Sequence, residues 1–86
     1  MPTISVFFGI LISMYHDDHN PPHFHAKYNE HRVIIEIGTL RILDGKLPKR
    51  ALAMVLEWAN DHRRELEQNW KLAQEHEPLN KIAGLE

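Results

Sequence analysis

The run D-D-H-N-P-P-H-F-H holds five side chains able to move protons or bind a metal: Asp17, Asp18, His19, His23 and His25. His16 precedes it, so four of the seven histidines fall between positions 16 and 25. Imidazole titrates near neutrality and is the commonest metal ligand. Two chemistries suit such a set. In the first, H-x-H on a strand puts His23 and His25 on one side, about 6–7 Å apart at their Cα atoms. With His19 or Asp18 as a third ligand, the pair could hold zinc, nickel or iron. In the second, the histidine pair cleaves a phosphodiester without metal, beside Lys27 and Arg32. One imidazole moves the proton and the cations stabilise the developing charge. A plainer account competes with both: histidines and aspartates order the Pro21-Pro22 loop by hydrogen-bonding backbone groups. It explains the loop better than it explains a histidine within a strand at position 25.

Composition bounds what can position these residues. Eighty-six residues make one domain, 1–86, with a small core. Hydrophobic content of 43% favours a globular chain over a disordered one. The absence of cysteine excludes disulfide and thiolate sites and agrees with a reducing cytoplasm. The apolar run from Ile4 to Met14 is interrupted by Ser5, Gly9 and Ser13, too short and too alternating for a leader or membrane span. A net charge of −2 makes no bulk demand for nucleic acid and leaves a local basic face open. Gly-rich phosphate loops, nucleophile elbows and zinc-ribbon patterns are missing from the sequence.

Periodicity predicts four strands and one helix. Residues 4–15 alternate, with Ile4, Val6, Phe8, Ile10, Ile12 and Met14 on one face. Residues 16–22 cannot continue a ladder and form a loop. Residues 23–28 and 32–37 read as a hairpin around Asn29-Glu30, and 40–43 as a short last strand. Within 23–28, Phe24, Ala26 and Tyr28 should face the helix, leaving His23, His25 and Lys27 on the open face. Arg32 and Glu36 from the next strand join them there, with Ser13 and Tyr15 beside them.

From Pro48 to about Gln74 the period becomes helical, and Leu52, Val55, Leu56, Ala59, Leu66, Trp70 and Ala73 fall on one stripe. One unbroken helix of that length runs roughly 40 Å and overhangs a compact sheet. Its far end would then need cover for Leu66 and Trp70, most simply from a second subunit.

The opening M-P-T-I-S, the string D-H-N-P-P-H-F-H-A, G-K-L-P at Gly45–Pro48, and L-E-W-A with Trp70 downstream together resemble a family of small bacterial proteins, the domain-of-unknown-function family numbered 4160. Asp18, His19, Pro21, Pro22, His23 and His25 occupy its signature positions. The resemblance implies a short bacterial protein, often encoded beside a member of unknown-function family 2442, some of which carry a helix-turn-helix domain. That gene arrangement implies a toxin–antitoxin pair with this chain as the toxin-like partner.

The expectation is therefore an α+β domain, an antiparallel four-stranded meander with one long C-terminal helix packed on one face. The leading functional expectation is a cytoplasmic toxin–antitoxin-type module that binds or cleaves RNA on its His-rich face. His23 and His25 would transfer protons, Asp18 would orient His19 or His23, and Lys27 and Arg32 would bind phosphate. The alternatives are a non-catalytic module docking a small adjacent-gene partner, and a hydrolase whose divalent metal sits on Asp18, His19, His23 and His25. Self-association through Leu66 and Trp70 would make it a homo-oligomer, or a hetero-complex with that partner.

Overall fold

Phe8 and Gly9 both adopt positive φ, 49° and 78°, the backbone of a two-residue hairpin turn whose twist matches its flanking strands. The expected strand over 4–15 is therefore two. In the computed structural model, which describes residues 2–16 and 18–86, the elements are β1 (Thr3–Phe7), β2 (Ile10–Ser13), β3 (His23–Tyr28), β4 (His31–Glu36), β5 (Ile42–Lys46), α1 (Lys49–Asp61) and α2 (Arg63–Gln74). The strands form one antiparallel sheet in the order β1-β2-β3-β4-β5.

The class is α+β with an antiparallel sheet, but with five strands and two helices where four and one were expected. An irregularity between Thr3 and Ser5 shifts the β1 register, and a one-residue slip exchanges the faces of a strand. Phe7 is consequently buried against Trp58, with ring centroids 5.3 Å apart, while Val6 and Phe8 are exposed. Ile10, Ile12 and Met14 keep the expected inward phase. The hairpin between β3 and β4 turns at Asn29-Glu30, with Asn29 at φ 54°. β5 lies two residues later than expected because Asp44-Gly45 continues the ladder rather than ending it. Gly45 stands at φ +77°, where an added Cβ would meet the Arg32 carbonyl oxygen at 2.2 Å.

The long helix breaks at His62, whose N–H is shared between the carbonyls of Trp58 and Ala59. Asn60 and Asp61 are weak helix formers, and His62 sits at φ −119° and ψ 26° while its side chain bonds Glu65 at 2.6 Å. Leu66 is 0 % and Trp70 8 % exposed, so the chain itself covers the stripe that an overhang would have left bare. The segment after α2 also returns to the sheet: Ile82 N–H bonds Ile4 O, Asn69 bonds both backbone groups of Asn80, and the Trp58 indole donates to Ala83 O.

Candidate metal centre

The connection between the neighbouring strands β2 and β3 enters β3 at His23. Two prolines stiffen it, and α2 and the segment after it hold it from the side. Gln74 donates to the Asp18 carbonyl at 3.1 Å, and His16 Nε2 bonds the Glu77 carbonyl at 3.1 Å. Asp18 thus has a fixed backbone. Its Oδ1 accepts the His19 N–H at 3.1 Å, which turns Oδ2 toward the sheet.

There Oδ2 meets two imidazoles, His23 Nε2 at 2.8 Å and His25 Nε2 at 3.4 Å. The three donor atoms of Asp18, His23 and His25 all lie within 4.8 Å of one another. His23 is 4 % exposed and lies beside Trp70, with ring centroids 5.2 Å apart. Its Nδ1 bonds the Pro21 carbonyl at 2.8 Å. A carbonyl can only accept, so Nδ1 carries a hydrogen and Nε2 is the atom turned to Asp18. A histidine that gives one ring N–H to a backbone carbonyl while its other nitrogen points into a cluster has the orientation of a metal ligand.

The electrostatics suit ligands. Burial alone would raise the Asp18 carboxyl, but hydrogen bonds from His25 and the His19 backbone, with the charge and hydrogen bond of His23, hold it below its ordinary value. Burial pushes the His25 imidazole down, reinforced by His23 and partly opposed by Asp18. Both shifts run toward the forms that cation binding favours, the carboxylate of Asp18 and the neutral imidazole of His25.

The expected residues divide clearly. Asp18, His23 and His25 converge. His19 does not join them: its side chain is 88% exposed, meets the outer Asp18 oxygen at 3.2 Å, and its ring centre lies 5.7 Å from that of His23. Asp17 lies outside the described residues. His23 was expected on the open face and is instead enclosed, with the Trp70 ring of α2 beside it. His25 lines a groove of about 440 Å³ with Tyr15, Lys27, Arg32 and Asp44. The Tyr15 ring stands edge-on to His25 at 4.5 Å. Lys27 and Arg32 face one another across β3 and β4. Glu36, opposite His23, pairs with Arg41 at 3.3 Å. Leu66 and Trp70, expected at an interface between chains, belong to the core.

Three supports escaped the sequence reading: the Pro21 carbonyl, Gln74 and the ring of Trp70. A backbone oxygen has no sequence signal. Trp70 and Gln74 lie far from the loop in sequence, and only the packing of α2 places them beside it.

The family model described as Domain of unknown function (DUF4160) matches residues 9–71, which contain the whole cluster. No curated protein and no solved structure matches the chain.

Proposed function

Since the chain belongs to the DUF4160 family, whose description names no activity, we propose its function from its own side chains: a metal-dependent hydrolase with Asp18, His23 and His25 as ligands. One observation carries this reading, the convergence of those three donor atoms within 4.8 Å. Ligands about 2.0–2.1 Å from a cation, at octahedral to tetrahedral angles, stand roughly 2.9–3.4 Å apart. The contacts to Asp18 Oδ2, at 2.8 and 3.4 Å, fall close to that range. Two nitrogens and one oxygen suit zinc, nickel or iron, and three protein ligands leave a position open, as catalytic sites do. A cation held there would acidify a water and polarise a phosphoryl or carbonyl oxygen.

The protein's own groups would do the rest. His23, locked between Pro21 and Trp70, fixes the geometry. His25, 27% exposed, opens the site to the groove. His19 stands exposed at the mouth beside the outer Asp18 oxygen, where it can give a proton to the departing oxygen as water adds and the ester bond breaks. Lys27 and Arg32 offer positive charge to an anionic substrate. Metal-free cleavage by a His23–His25 pair is less well supported: His23 is enclosed and both its nitrogens are engaged, so it cannot meet a substrate. In the toxin–antitoxin setting that the family resemblance implies, the hydrolase would be the toxin-like member.

The test is turnover of an activated phosphodiester, bis(p-nitrophenyl) phosphate, by untagged protein loaded with Zn²⁺. Turnover should vanish with chelator and in Asp18→Asn. In His19→Ala, metal should be retained and turnover of this ester, whose p-nitrophenolate departs without a proton, should be little changed, while turnover of a diester with an alkoxide leaving group falls about 10²-fold. A zinc-loaded protein without turnover, or turnover that survives chelation, overturns the reading.

A further inference from the structure

The open face of the sheet carries a second feature, set by register. Lys27 pairs with Arg32, and Arg32 pairs with Lys46, so three cations stand abreast on β3, β4 and β5. Directly paired residues share a face, with Cβ atoms about 4.5–5.5 Å apart, and like charges so placed destabilise a sheet. All three are exposed. No ion pair among the described residues includes any of them. Gly45 is what permits the arrangement, because its positive φ and close approach to the Arg32 carbonyl carry Lys46 to its place opposite Arg32. A fold that brings three like charges together without internal partners is suited to an anion from outside.

The row's dimensions narrow the anion. Two strand spacings span about 10 Å, more than one phosphate covers, and His25 lies two residues, roughly 7 Å, along β3 from Lys27. An anion that engages the row and also reaches His25 must therefore repeat its charge along its length. The groove between them is about 440 Å³, bordered by the Tyr15 ring with Asp44 on its far wall. That volume, with an aromatic at its edge, suits one nucleotide unit.

We infer that the Lys27–Arg32–Lys46 row binds the phosphodiester backbone of a single-stranded nucleic acid, with the adjacent phosphate directed toward Asp18, His23 and His25. The inference deepens the hydrolase reading by naming its substrate class, and rests on that reading only for what happens to the strand after binding.

The experiment measures binding of fluorescent oligouridylate to metal-free protein across a salt series, with uridine monophosphate as competitor. Three phosphate contacts on a single strand give a slope of log K against log salt of about −2, equivalent to roughly 20-fold weakening between 50 and 200 mM. In Arg32→Gln and Lys46→Gln the slope should shrink by about 0.7 each, while Arg64→Gln on α2, which removes an exposed cation outside the row, should keep it. Uridine monophosphate should compete at least tenfold more weakly than unlabelled oligomer. No binding by wild type, an unchanged slope in the cation variants, or equal competition by the monophosphate overturns the inference. Because metal is absent throughout, failure here is distinguishable from failure of the hydrolase reading, which is read from zinc-dependent turnover.

Discussion

At the residue scale the molecule turns on Asp18 Oδ2, one oxygen against two imidazole nitrogens. Asp18→Asn keeps the shape but replaces a charged acceptor with a neutral amide, and should cost at least tenfold in zinc affinity, read by competition with a chelating dye. The same atoms make stability depend on pH in the metal-free protein. Burial holds His25 below its ordinary value of 6.5, so as pH falls below that value the unfolded chain takes up this proton before the folded one does. Stability is full above it and declines on acidification. Asp18, held below 3.8, adds a second loss as pH falls through that lower range, when its carboxylate becomes protonated. Urea midpoints measured across pH should show His25→Gln flattening the upper decline and weakening the lower one, since it also removes a hydrogen bond that holds Asp18 down. An unaltered profile in the variant would mean that His25 is not the group responsible.

At the element scale the strands owe their positions to three turns with left-handed residues, at Phe8-Gly9, Asn29 and Leu40, and to Gly45. The 23–28 strand and its Asn29-Glu30 turn were legible because alternation and a turn residue point to the same place. The Phe8-Gly9 turn was not, since apolar alternation runs straight through it and a phenylalanine with positive φ carries no compositional signal. The helix break was hidden for a similar reason: the apolar stripe keeps its phase across Asn60-Asp61-His62, so only packing reveals it. β5 was misplaced because Asp44-Gly45 reads as a turn, whereas here glycine serves close approach to the neighbouring strand. Gly45→Ala should therefore destabilise by about 2–3 kcal/mol, from strain at φ +77° and the clash with the Arg32 carbonyl. A urea midpoint near wild type would show that β5 does not pair as described. Asn69→Ala tests the segment after α2: it strips both bonds to Asn80 and should cost about 2 kcal/mol. Faster proteolysis of residues 77–86 would accompany it.

At the scale of the whole molecule, one apolar cluster joins the sheet to both helices, with Trp58 fully buried between Phe7 and Phe24. The loop that carries Asp18 is fastened to this body through Gln74, His16 and Trp70, so binding at the centre should stabilise the entire fold. The candidate ligands were legible in the sequence as a crowded string. What the string could not show was that His19 turns outward while His23 is sealed in, because that depends on how α2 packs against the loop. Zinc at a hundred times its dissociation constant should add about 2.7 kcal/mol, a rise in Tm of roughly 10–20 °C for a chain of this size. Calorimetric titration of untagged, metal-free protein with Zn²⁺, alongside His23→Ala and His25→Ala, tests the central claim most directly. One equivalent bound by the wild type and lost in both variants is the expected result. Absence of binding, or binding that survives loss of either histidine, would contradict a metal centre built from Asp18, His23 and His25.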